Sequence, residues 1–366
     1  MSPTGQNDAV FVANKTAARF VLMLFLGVTI FLVAVTFSSM KSGFADAPSR
    51  GPGDVALYRA EADRVRQGQS YYDAIAAELR SRGYPMRSIF NWRMPLPVWL
   101  IGILPGALGQ GLLGLLAVAL LCLSFELLAD RGGVKQGLLG VALLSGALLP
   151  CVLGDLFVMP ELWSGVLIAL SAVCFGLKRR VAGVIVGLAA LFFRELAAPY
   201  CVLCFGMAVW ERRYRESVWW LLGFAAYAVF LGLHVWQVLP RIAATDTAHA
   251  DGWIRFGGAG FLISTAQMNA YLLLLPQWVT AMYLSFVLLG CASWNSDEGK
   301  RISLAIALYA IAFSVAGHDF NQYWGSLTAP LYCLAACRCP KTVGQLWTAA
   351  DLPGVASRRR SVSVQD

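Results

Sequence analysis

The chain has 366 residues, 58% of them hydrophobic and 14% charged, with a formal net charge of +8 and a mean hydropathy of +0.62. Soluble domains carry roughly 45–50% apolar and about 25% charged residues, so an ordinary soluble fold is excluded. The basic residues fall between apolar blocks, which makes them topology signals and argues against nucleic acid as a partner.

Residues 20–40, 94–125, 136–154, 217–240, 256–296 and 320–337 contain no Asp, Glu, Lys or Arg. Their apolar residues come in solid blocks, which excludes the alternation of an outer-membrane barrel and predicts helices. The fold class expected is all-α, a polytopic transmembrane bundle of about ten spans, near 18–38, 110–128, 137–153, 161–177, 181–193, 197–210, 217–238, 267–290, 302–316 and 323–337. The first follows Lys15 and Arg19 and reads as a signal anchor; Ala45-Asp46-Ala47 resembles a cleavage site, but Pro48 follows it and the segment is expected to be retained.

The outer loop between the first two spans, residues 39–109, holds two narrow apolar stripes. Val55, Tyr58, Ala62 and Val65 predict a helix over Asp54–Gln67, and Tyr72, Ile75 and Leu79 one over Ser70–Ser81, both lying on the membrane surface. Met94–Leu104 is apolar but about 11 residues long before Pro105, which fits an interfacial or re-entrant helix.

Spans 181–193 and 197–210 are short for a crossing, so either they pair around a break at Arg194 to Pro199 or one kinked helix replaces both. A cytoplasmic amino terminus puts 17 of the 29 basic residues on the inner side, counting the tail. The organisation is then a cytoplasmic tail (1–17), the first span (18–38), the outer loop (39–109), the bundle (110–337) and a basic cytoplasmic tail (338–366), disordered from Thr342 onward. Both termini are expected in the cytoplasm and the chain in a cell inner membrane. The cysteines read as small packing residues, and neither an internal repeat nor a Walker or dinucleotide fingerprint occurs.

Gly53-Asp54-x-x-x-Tyr58, Gly68-Gln69-Ser70-Tyr71-Tyr72 and the Pro95-Leu-Pro97 entry together resemble the first outer loop of GT-C-type membrane glycosyltransferases. Further similarities follow in order: Gly154-Asp155, Phe193-Arg194-Glu195 through Pro199, and His318-Asp319-x-x-x-Tyr323 with Pro330. The resemblance covers roughly residues 18–335. The sequence departs from the commoner pattern at Asn91-Trp92-Arg93-Met94-Pro95 and has no large soluble domain after the bundle.

The resemblance implies inverting sugar transfer from a polyprenyl-phosphate donor to a glycan, lipid or protein acceptor on the outer face. Asp54 would be the general base, Asp155 would orient acceptor or sugar, Arg194 would hold the donor phosphate, and His318 would add a second phosphate contact. Tyr58, Tyr72, Trp92, Arg93, Glu195, Asp319 and Tyr323 complete the expected substrate site. The chemistry suits these types: a partly desolvated carboxylate takes a hydroxyl proton, and Arg or His neutralises a departing phosphate.

Each has a plainer reading. Asp54 follows Gly53 and could be a helix N-cap, Asp155 a loop acid, and Glu161 a helix-start carboxylate. Arg194 and Glu195 could be a structural ion pair, and His318 and Asp319 turn residues. Trp92, Trp253 and other outer aromatics could form an interfacial belt rather than stack on sugar, and Pro240–Gln267 could be a lid. No cofactor is required, although Asp54 and Asp155 could together hold a divalent cation if they met. A membrane scaffold without chemistry is the main rival, and a transporter the next.

Overall fold

The computed structural model describes residues 14–41, 53–248 and 254–352; among these the regular structure is helical, apart from one isolated bridge between Ile254 and Ala316. The helices are α1 (Lys15–Lys41), α2 (Gly53–Arg66), α3 (Tyr71–Ser81), α4 (Pro95–Ile103), α5 (Gly106–Gly132), α6 (Val134–Leu148), α7 (Pro160–Gly176), α8 (Arg180–Phe193), α9 (Ala198–Trp210), α10 (Tyr214–Val238), α11 (Gly258–Ala266), α12 (Ala270–Leu273), α13 (Gln277–Ala292), α14 (Asp297–Val315), α15 (Ala329–Ala336) and α16 (Cys339–Ala349).

Among the described residues, four helices are long and apolar enough to cross a membrane: α1, α5, α6 and α10, with candidate spans Lys15–Ser38, Ala107–Gly132, Val134–Cys151 and Tyr214–Arg241. Their length and composition mark the chain as a membrane protein. At the other six expected span positions stand α7, α8, α9, α13, α14 and α15, each shorter or more charged.

The break at Arg194 is a hairpin. The Cys201 thiol donates to the carbonyl of Gly187 at 3.2 Å, whereas one continuous helix would hold those residues about 20 Å apart. Arg194 has extended backbone and its amide closes on the Ala190 carbonyl, so α8 ends there before a single 3-10 turn leads into Pro199 at the start of α9.

Three expectations change. Span 267–290 is interrupted: Asn269 caps the four-residue α12 with its side chain on the Tyr271 amide, and Pro276 starts α13 afresh. The proposed lid over 240–267 contains α11, whose Phe261, Ile263, Thr265 and Ala266 are buried, so that part is core. Residues 249–253 of it, with His249 and Trp253, lie outside the described residues. The tail beyond 338 begins as helix: α16 packs Leu346 against Ala18 of α1, Arg19 Nε donates to the Ala350 carbonyl at 3.0 Å, and Lys15 pairs with Asp351 at 2.7 Å. These contacts hold the two ends of the described chain together at one end of the bundle.

At that end an ion network joins four helices. Arg301 of α14 is fully buried, with its guanidinium carbon 4.0 Å from the Phe175 ring centroid and 3.5 Å between Nη2 and Glu216 of α10. Arg180 of α8 reaches Glu216 at 3.2 Å, and Arg131 of α5 reaches Glu298 of α14 at 3.4 Å. These basic residues, read from sequence only as topology signals, also brace the bundle. The predicted functional residues collect at its other end.

Candidate functional site

α2 carries the site on one face. Asp54, Tyr58 and Glu61 stand at i, i+4 and i+7, a spacing that aligns side chains along a helix. Gly53 opens α2 at φ +73, a conformation that suits glycine, so Asp54 lies within the first turn, where the helix dipole favours a carboxylate. α2 lies against α4, and Gly102 permits the approach: a Cβ there would stand 2.6 Å from Val65 Cγ1 and 3.0 Å from the Ala62 carbonyl oxygen.

The second contributor is Arg93, which ends a 3-10 turn over Ile89–Trp92 with φ 56 and ψ 165. A side chain in that region costs about 1–3 kcal/mol and persists only when its surroundings fix it. They do so here: Tyr71 donates its hydroxyl to the carbonyls of Trp92 (3.0 Å) and Arg93 (3.2 Å), Asn91 Nδ2 to Pro85 (2.6 Å), and Trp92 Nε1 to Met86 (2.9 Å).

The strained backbone delivers Arg93 to Asp54. Nη2 lies 3.5 Å from Asp54 Oδ2, the Tyr84 hydroxyl donates to Asp54 Oδ1 at 2.8 Å, and the Arg93 guanidinium carbon is 5.7 Å from the Tyr58 ring centroid. Burial and the Asp54 carboxylate both push the Tyr84 phenol up, so it stays protonated and remains the donor. The Asp54 side chain is 19% exposed, the Arg93 side chain 10%. Tyr58 is buried beside them, and burial raises its phenol well above the ordinary range.

α7, α8 and the segment after α14 close the cluster. Arg194 Nε lies 2.9 Å from Glu161 Oε1 at the start of α7, and Nη1 lies 2.8 Å from Glu195 Oε1. Tyr323 sits in a long 3-10 segment, Asp319–Leu327, and its hydroxyl accepts from Asn321 Nδ2 at 3.3 Å. That segment reaches α7 because Gly165 lacks a Cβ, which would fall 2.0 Å from the Ser326 carbonyl oxygen. Tyr58 and Tyr323 both interact electrostatically with Arg93, Glu161 and Arg194. Residues near 54, 93, 161, 194 and 323 in the chain thus share one polar centre.

Several expected roles are corrected. Asp155 does not join Asp54. It pairs with Arg59, and Arg59, Asp63 and Arg66 occupy a different face of α2, turned by roughly 120–180° from Asp54 at 100° per residue. The two carboxylates therefore do not form a shared cation site. Arg194 is neutralised by two carboxylates and is 2% exposed, the structural ion pair rather than a phosphate ligand.

Trp92 is fully buried, so its ring presents no face to a sugar. Tyr72 faces α10, its hydroxyl 3.2 Å from His234 Nδ1 and its ring under Arg241 with the guanidinium carbon 5.5 Å from the centroid. His318 is buried, with its amide donating to Asn321 Oδ1 at 2.9 Å and its ring stacked on Phe320. The Asp319 side chain lies outside what the structure describes.

Glu61, Tyr84 and Asn321 were not singled out from sequence. Glu61 is fully buried, neither of its oxygens has a hydrogen-bond partner, and burial raises its carboxyl to about 8 against the opposing pull of Arg93. The one signal for it was its place one turn beyond Tyr58 on the Asp54 face.

Comparison with known protein families, curated proteins and solved structures gives no match.

Proposed function

We propose that the protein is a membrane glycosyltransferase that moves a sugar from a polyprenyl-phosphate donor to an acceptor hydroxyl, with inversion, and that Asp54 is the general base. The observation that carries this reading is the convergence of Asp54, Tyr58, Arg93 and Tyr323, from motifs spread over some 270 residues, on one partly open centre. A scaffold needs no partly exposed carboxylate set between a phenol donor and a guanidinium.

In this mechanism Asp54 takes the acceptor hydroxyl proton as the acceptor oxygen attacks the anomeric carbon. The bond from that carbon to the phosphate oxygen breaks on the opposite face, and polyprenyl phosphate leaves with the bonding pair. Tyr84 fixes Asp54 Oδ1, and Arg93 gives up its 3.5 Å contact with Oδ2 as that oxygen takes the acceptor proton, turning instead to the charge growing on the leaving phosphate. Arg93 takes the phosphate role because the charge of Arg194 is already neutralised by Glu161 and Glu195. Glu161, Arg194 and Glu195 hold α7 and α8 behind the centre.

Charge placement supports an outer-face site, because among the described residues the end of the bundle opposite Asp54 carries more than half of the basic residues and both ends of the described chain. The experiment is transfer from radiolabelled polyprenyl-phosphate sugars by purified protein in liposomes. We expect donor-dependent product from wild type and a loss of at least about a hundredfold in Arg93→Gln and Asp54→Asn. Undiminished product from both variants would overturn the reading.

A further inference from the structure

The rear of α2 borders a second feature, separate from the Asp54 centre. A half-open cavity of about 280 Å³ lies between α2, α4, the start of α5 and the 155–158 turn. Its polar wall is Arg59, Asp63, Arg66, Gln110 and Asp155; Arg59 pairs with Asp155, and Arg66 reaches Asp63 through Nη1 at 2.6 Å and the Ile101 carbonyl through Nη2 at 3.2 Å. Its apolar wall includes Ile101, Ala107 and Phe157.

Charge balance, exposure and rim chemistry together define a ligand. The two guanidiniums and two carboxylates cancel, so a ligand bearing only an anion would face two uncompensated acids. All four side chains are 43–56% exposed, and pairs this exposed hold together by about 0–1 kcal/mol, weak enough to exchange partners. A ligand with a phosphate and a primary ammonium replaces both pairs at once, phosphate on the planar forks of Arg59 and Arg66, and N–H donors on Asp63 and Asp155. A quaternary ammonium has no N–H for those carboxylates.

Size and surroundings fit a headgroup. The cavity holds about nine water-sized units at ~30 Å³ each, room for a small phosphodiester head. Exposed Leu108, Leu153 and Leu156 stand within two residues of the lining residues Ala107 and Asp155, which puts apolar surface beside the cavity on its α5 side.

We propose that this cleft binds the phosphoethanolamine headgroup of a membrane lipid, its acyl chains lying along the α5 side. The inference does not depend on sugar transfer, since it uses neither Asp54 nor Arg93. The test is native mass spectrometry of the full-length protein in detergent with added dioleoyl phosphatidylethanolamine, phosphatidylglycerol or phosphatidylcholine, and separately with soluble O-phosphoethanolamine. Wild type should retain the ethanolamine lipid about tenfold more than either other lipid, and Arg59→Gln and Asp155→Asn should each abolish that preference while melting as wild type does.

Equal retention of the three lipids, stronger retention of phosphatidylglycerol, or a preference that survives both substitutions would overturn the proposal. Soluble phosphoethanolamine displacing the lipid at equal concentration would overturn a lipid as the ligand's source.

Discussion

Replacing Glu61 by Gln keeps the shape of the side chain and removes its titration. Folding moves the Glu61 carboxyl from 4.5 to about 8, chiefly by burial, with Arg93 opposing and Glu78 and Asp54 adding to the rise. Between those values the native state holds a proton that the unfolded chain has lost. The contribution of Glu61 to stability is therefore complete below about pH 4.5 and declines by roughly 1.4 kcal/mol per unit as pH rises through 8. Over the whole window the loss is on the order of 5 kcal/mol, undiluted by solvent because the side chain is fully buried.

The assay is thermal unfolding of both proteins in the same detergent from pH 5 to 9. The gap in Tm between Glu61→Gln and wild type should widen with pH in favour of the variant. Parallel Tm curves would refute the argument, because they would mean that Glu61 does not change its protonation on folding.

Three further outcomes follow from the geometry. Arg194→Met should destabilise the protein by about 3–5 kcal/mol, since it strands two carboxylates against the core, and denaturant unfolding in detergent would read it. Gly102→Val should lower Tm by forcing α4 away from Val65 and the Ala62 carbonyl of α2, whereas the same change at Gly111, which has nothing within 4 Å of an added Cβ, should leave Tm unchanged or raise it slightly, since valine is the better helix former by a few tenths of a kcal/mol. Tyr84→Phe should reduce kcat for sugar transfer by about tenfold with little change in KM, because it frees the Asp54 oxygen without touching donor or acceptor.

Much of the helix layout was readable because a bilayer enforces it. The stripe Val55, Tyr58, Ala62 and Val65 located α2, the stripe Tyr72, Ile75 and Leu79 located α3, and the apolar run Met94–Leu104 with its entry prolines located α4. Legibility failed where packing outranks composition. α11, rich in Gly, Ser and Thr, reads as loop, yet Phe261 and Ile263 bury it; Cys339–Ala349 reads as tail, yet its Leu346 finds α1.

At the site, Asp54, Tyr58 and Tyr323 were legible as types at recurrent spacings, but their partners were not. Arg93 meets Asp54 only because a strained turn aims it there, and Glu61 is hidden because a glutamate on an amphipathic helix ordinarily faces water. Asp155 was misplaced because sequence order does not reveal which face of α2 a distant loop meets. The burial of Trp92 likewise depends on the loop that hydrogen-bonds it.

The measurement that tests the central claim most directly compares Asp54→Asn with Asp155→Asn in one sugar-transfer assay, both in liposomes and at matched protein content. If Asp54 is the base and Asp155 belongs to a separate cleft, Asp54→Asn loses transfer and Asp155→Asn keeps most of it. Loss in Asp155→Asn with retention in Asp54→Asn, or full activity in both, would contradict the account.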